Sequence, residues 1–272
     1  MAICLPAPAL VAATLALVTP AGGYATTRDV PSDFAAIQDA VDASAPGDTV
    51  AVHPGDYIES ITVRDDLVIL GSGAASTRIR GFSDATLTVD SLVTGTVIRG
   101  VTLRAAPGIV TTVYVGPGSA PGISDVVIDG GTIGLRAERS SPRIESSVIQ
   151  ACTIGVAADG SASPVFIDDA VTDNILGVSL SGGATPRFHE CRFERNGIYN
   201  FQISSYSASA VIDASRNWWG TSDESELRTR IRLDGSGPVT LIYVPWCADP
   251  ACATTPLRPT SWGALRTRLI IP

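Results

Sequence analysis

The chain has 272 residues, 45% of them hydrophobic and 17% charged, a composition that excludes a disordered chain and suffices for one folded domain. Its net charge of −8 and pI near 4.7 exclude nucleic acid and an anionic membrane surface as main partners, because both require a basic face. Lysine is absent, so every permanently cationic side chain is an arginine.

Residues 1–25 are expected to be a signal peptide. Ala9 to Val18 is an apolar run too short to span a bilayer, and Gly23-Tyr24-Ala25 places small residues at the two positions a signal peptidase reads. The mature chain is then exported, to the periplasm, the cell surface or the medium. No later segment has the length and apolarity of a transmembrane helix.

Pro31-Ser32-Asp33 predicts a helix start with Ser32 as cap. Phe34, Ile37 and Val41 then recur at helical spacing until Pro46-Gly47 stops the helix. This apolar stripe is expected to cover one end of the domain.

From Pro121 onward the chain repeats itself. Pro142, Pro164 and Pro186 recur every 22 residues, and the unit from Pro121 is one residue shorter. The third position of each unit is Ile123, Ile144, Phe166 and Phe188, and the eighth is Ile128, Ile149, Val171 and Phe193. A third apolar zone begins near Ile133, Ile154, Ile175 and Ile198. The three apolar pieces are too short for helices and rich in residues that favour strands. One such coil cannot bury its inward side chains, whereas stacked coils pair every strand and share a core. The fold class predicted is all-β, a right-handed parallel β-helix with three short strands per coil, capped by a short helix at each end. Coils from about Gly47 to Gly220 number about eight and extend roughly 40 Å. Asn174 and Asn196 share a turn column, where stacked amides hydrogen-bond along the axis.

The fifth position of the units is acidic: Asp125, Ser146, Asp168 and Glu190. Stacking places Asp168 and Glu190 on adjacent coils about 5 Å apart, near the carboxylate separation of retaining glycosidases. Any two acids in one column fall at that distance, and turns are where solvated acids belong. Two readings therefore stand for Asp125, Asp168 and Glu190: solvated turn residues, or a ligand site in which Asp168 and Glu190 are the catalytic candidates and Arg187 and His189 lie nearby. Calcium is the one cofactor left open, with no residue assigned as a metal ligand. His53 and His189 are the only histidines and fall at no ligand spacing. Tyr199, Phe201, Tyr206, Trp218 and Trp219 supply either a sugar-stacking face or end-cap packing.

Thr221 and Glu224 have capping-box spacing, and Leu227 and Ile231 form the apolar face of a second helix closing the last coil. Val239 to Val244 is expected to be a strand. Cys247 and Cys252 can close a small loop by a disulfide, whereas Cys152 and Cys191 lie in different columns two coils apart and are expected as buried thiols. The domain thus runs over 26–246. Residues 247–272 carry the disulfide loop, a linker at Thr254 to Pro259, and a tail whose Trp262, Leu265 and Leu269 share one face if helical, as a docking or sorting element.

Ile37-Gln38-Asp39-Ala40-Val41, Pro46-Gly47-Asp48-Thr49-Val50 and His53-Pro54-Gly55-Asp56-Tyr57-Ile58-Glu59 resemble the opening of pectin lyase-like right-handed β-helix proteins, including the NosD-type and pectinesterase branches. Asn217-Trp218-Trp219-Gly220 with Pro245-Trp246 is similar to the close of bacterial exported β-helix repeat proteins, so the resemblance runs from about Ser32 to Trp246. These motifs specify the fold. The DFIFG motif of pectinesterases, the GHG loop of polygalacturonases and the DPH motif of alginate epimerases are absent from the chain. The expectation is an exported, monomeric, non-catalytic binding or scaffold module, with polysaccharide or a cell-surface molecule as partner. A polysaccharide lyase, hydrolase or esterase is the alternative, as is a NosD-like periplasmic accessory factor.

Overall fold

The structure is a computed structural model that describes residues 25–234, 237, 239–252 and, as backbone, the strand Arg268–Ile270. The signal-peptide expectation, the linker, and Trp262 and Leu265 of the tail lie outside the described residues.

Three parallel sheets wind around one core. Sheet A has eleven strands, from Thr27–Val30 to Arg268–Ile270, sheet B seven, from Gly55–Ile58 to Arg192–Glu194, and sheet C eight, from Ile61–Val63 to Ile231–Asp234. Apart from the first two and last two strands, which are neighbours in sheet A, successive strands of the chain fall in different sheets and pair with their equivalents one coil away, which makes the right-handed β-helix. In sheet A, Ile98, Ile123, Ile144, Phe166 and Phe188 are register partners, and in sheet B, Leu103, Ile128, Ile149, Val171 and Phe193. All ten side chains are buried, so the third and eighth positions of the repeat are interior ladders as read.

The third zone differs. Ile133 and Ile154 align with Leu176 and Tyr199, not with Ile175 and Ile198, and the column they form faces outward. Ile175 and Ile198 are 51% and 55% exposed. The inward ladders lie further on, at Leu135, Val156, Val178 and Phe201 and at Ala137, Ala158, Leu180 and Ile203. Glycine sets this register. A Cβ on Gly134 would lie 2.6 Å from the Gly155 carbonyl oxygen and 2.8 Å from Cys152 Sγ, and Gly155 and Gly177 are crowded in the same way. The strand therefore passes too close to the following coil for a side chain, and turns inward only at the next residue.

The turns obey a second rule. Asp125, Ser146, Asp168 and Glu190 have φ between 49° and 58°, as do Ala151, Asp173 and Arg195 at 56°. Such left-handed positions redirect the chain between sheets and turn the next amide away from the strand carbonyls. A side chain one coil further supplies the acceptor: Ser147 Oγ for the Val126 amide at 3.2 Å, Asn217 Oδ1 for Cys191 at 2.8 Å, and Asn174 Oδ1 for Cys152 at 3.0 Å. These turns are closed by small polar residues because a buried amide must find a partner.

Both ends carry a helix, with caps other than those predicted. Helix α1 (Ile37–Asp42) buries Ile37, Ala40 and Val41, and its cap position, Ala36, has no side-chain acceptor. Ser32 is too early to serve. The Glu59 carboxylate instead takes the Ile37 and Gln38 amides, both at 3.0 Å, which places a negative charge at the positive end of the helix. Helix α2 (Glu224–Thr229) is capped by Asp223, which accepts from Ser225 and Glu226 at 2.7 and 3.0 Å. Thr221 binds the Asp223 amide, and Glu224 is drawn to Arg228 and Tyr243, so no capping box forms. Leu227 is the buried helical residue, and Ile231 already opens the strand Ile231–Asp234.

The predicted strand at Val239 is present as Val239–Ile242. The tail strand Arg268–Ile270 pairs antiparallel with it, which corrects the helical reading of Leu269. A run ending in Leu and Ile is at home in extended backbone at a sheet edge. Cys247 and Cys252 form a disulfide with Cα atoms 4.9 Å apart, and Cys152 and Cys191 are buried free thiols. Among the described residues no helix is long and apolar enough to cross a membrane.

Candidate functional site

The acidic column runs along the turn between sheets A and B. Arg99 Nε lies 2.7 Å from Asp125, and Arg216 lies 3.0 Å from Glu190, each an arginine from an adjacent coil. Asp168 accepts a hydrogen bond from Ser146 Oγ at 3.2 Å. Each acid therefore has a partner of its own, with Asp168 and Glu190 on adjacent coils and Ser146 on the coil between Asp125 and Asp168. Their ion pairs are about half exposed, where such pairs contribute under ~1 kcal/mol each. Among the described residues no group of three or more His, Cys, Asp or Glu side chains converges as a metal site would require.

Arg187 and His189 belong elsewhere, on the outward face of sheet A. They alternate with buried Phe188 in the strand Arg187–His189, so both point away from the core. Arg187 pairs in register with Asp213, and the two rows of outward residues border a groove of about 670 Å³. Ser163, Val165 and Thr185 line it on one side and Val211 and Asp213 on the other. Asp213 Oδ2 lies 3.9 Å from His189 Nε2, beyond hydrogen-bond length, while its other oxygen holds the Ser215 amide and hydroxyl at 3.0 and 2.8 Å. Among the described residues Arg187 has no carboxylate partner, although most other arginines of the turns and sheets do. The groove therefore combines an unpaired guanidinium, hydroxyl groups, an imidazole, a carboxylate and the apolar Val165 and Val211. In the sequence Arg187 and His189 stand out only as neighbours of the acidic column. Their placement beside Asp213 comes from an irregular unit between Glu190 and Ala210 that no longer follows the 22-residue spacing.

The aromatic residues divide by burial. Phe201, Tyr206 and Trp219 are buried, with Phe188, Phe193, Phe201 and Trp219 packed at ring separations of 4.9 to 5.4 Å. These are packing residues of the last coils. Trp218 remains half-buried and donates to Glu194 at 3.0 Å, and Tyr199 carries Arg232 5.7 Å above its ring.

A family model described as the right handed beta helix region matches residues 94–217. No curated protein matches the chain. Among solved structures, it is similar to a pectin methylesterase from carrot, at 13% identity and a TM-score of 0.50, with 81% of this chain and 84% of that one covered. It is also similar to the catalytic domain of a GH87 alpha-1,3-glucanase in complex with tetrasaccharides, at 15% identity and a TM-score of 0.52, over 79% of this chain and 45% of that one. Repeat, sheet topology and these likenesses agree on the fold: the chain is a right-handed parallel β-helix, similar in fold to these pectin- and glucan-named proteins.

Proposed function

We propose that the chain is an exported, non-catalytic β-helix module that binds polysaccharide along the outward face of sheet A. The groove around Arg187 carries this reading, because it offers hydroxyls, aliphatic surface and one uncommitted cation in a row along the coil axis. A sugar chain needs that combination: apolar patches for ring faces and spaced polar groups for hydroxyls. The acids of the turn column support the non-catalytic half of the reading. Each is engaged with an arginine or a serine on a neighbouring coil, so they do not form a free acid and base pair facing one another across a bound sugar. The names of the two solved neighbours, which refer to pectin and to alpha-1,3-glucan, are consistent with a saccharide ligand.

Binding to a panel of immobilised glycans tests the proposal. Retention of the wild type that is weakened in Arg187→Ala and in Val211→Asp is expected, whereas retention unaffected by either change would place the site elsewhere. A second reading, a polysaccharide-active enzyme, draws on His189 and Asp213 facing one another in the same groove. It requires product release that is lost in His189→Ala.

A further inference from the structure

Asp169 is a carboxylate with 0% exposure in a column otherwise filled by neutral groups. The column runs Val126, Ser147, Asp169, Cys191, Asn217, one step past the left-handed turn residues, and links coil to coil through backbone bonds such as Ala170 N–H to Ser147 O and Arg192 N–H to Asp169 O. Its members supply the acceptors described above. Asp169 Oδ1 accepts from the Ser147 amide at 2.8 Å and Oδ2 from the Ile167 amide at 3.0 Å. Ser147, Cys191 and Asn217 are uncharged at neutral pH, and among the described residues no arginine or histidine pairs with Asp169.

The charged groups around it do not compensate. Asp168 on its own turn and Glu145 on the preceding coil are both acids that oppose ionisation. Arg143 is engaged by Glu145, and Glu190 on the following coil by Arg216. His189 points outward into the groove toward Asp213, and Arg192 is exposed. The Cys191 thiol beneath it is itself pushed well up by burial.

We propose that Asp169 is a proton-operated latch within the solenoid: neutral, it serves as one more uncharged rung between Ser147 and Cys191, and ionised, it loosens that coil boundary. Burial outweighs the two amide hydrogen bonds and moves its carboxyl from 3.8 up to about 8. The folded chain therefore holds a proton that the unfolded chain has released across that window. Stability from this residue is fully present below the ordinary carboxylate range and is lost as pH rises toward and through about 8.

Hydrogen exchange of the Ser147 and Ile167 amides, corrected for intrinsic exchange, together with thermal melts of the full chain across this range, tests the latch. In the wild type the melting point falls as pH rises, and both amides lose at least about tenfold in protection, the change expected of one unit of proton linkage. Asp169→Asn and Asp169→Ser keep an oxygen for the Ser147 amide and remove the charge, so both should flatten the dependence. If Asp169→Asn does not fold, the serine variant, which copies residue 147, decides; if neither folds, the wild-type exchange profile decides. A wild type without pH dependence at these amides, or an unchanged slope in a folded variant, overturns the proposal.

Discussion

Asn196 is joined to Asn174 across a coil boundary through one oxygen: its Oδ1 accepts both the backbone amide and the side-chain Nδ2 of Asn174, each at 3.2 Å. Its own Nδ2 donates to the Val171 carbonyl and to Asn200 Oδ1, both at 3.0 Å. The residue is 3% exposed, so four buried polar groups depend on one side chain. Asn196→Ala removes all four bonds, leaving the Asn174 side-chain amide only its bond to the Ile149 carbonyl, and should cost about 1–3 kcal/mol, since unsatisfied buried groups are expensive. Denaturant unfolding checks this, and an unchanged midpoint would contradict the ladder.

Ile149 lies on the interior ladder of sheet B between Ile128 and Val171 with 0% exposure. Ile149→Asp puts a charge there without a partner. A loss of several kcal/mol is expected, with disruption of the neighbouring coils because each supports only the next. Thermal melts that retain the full folded signal would show the register to be wrong.

Glu59→Ala removes the carboxylate that binds the first amides of α1. The expected cost is about 1–2 kcal/mol, that of losing a helix cap and its charge at the positive end. Ser32→Ala, at the cap position expected from sequence, should leave the stability within about 0.5 kcal/mol of wild type. A larger effect from Ser32 than from Glu59 would reverse the assignment.

The double change Asp168→Ala with Glu190→Ala removes two acids of the exposed turn column. Stability is expected to move by no more than about 0.5 kcal/mol, as for other surface substitutions. Calcium should stabilise neither form. Calcium-dependent stabilisation of the wild type that disappears in the variant would restore a ligand role for the column.

The fold was legible in the sequence wherever one residue type kept one job. The apolar residues of the third and eighth positions are interior on every coil, so spacing alone gives the inward register of two sheets, and it places the third sheet's strands within a residue of where they begin. The inward ladder of that third sheet differs from the expectation because Ile175 and Ile198 are aliphatic yet exposed, while the register marker is glycine at 134, 155 and 177. Backbone proximity leaves no hydrophobic signature, but the missing side chain itself was a signal. Asp169 was passed over for a related reason. Beside Asp168 it looks like half of an acidic pair, and only alternation across the turn sends one carboxylate outward and the other into the core. The cap of α1 differs from the expected Ser32 because Glu59 reaches the helix from a later coil, a contact that no local pattern encodes.

Binding without turnover is the function proposed for this β-helix. Its most direct measurement follows the mature protein with a panel of neutral and uronic polysaccharides, with and without calcium, recording retention and product release in the same samples. The proposal predicts retention on at least one polymer, reduced in Arg187→Ala, with no new chain ends, unsaturated products or released methanol. Product release that is lost in His189→Ala or in the Asp168 and Glu190 double variant would contradict it and make the chain an enzyme.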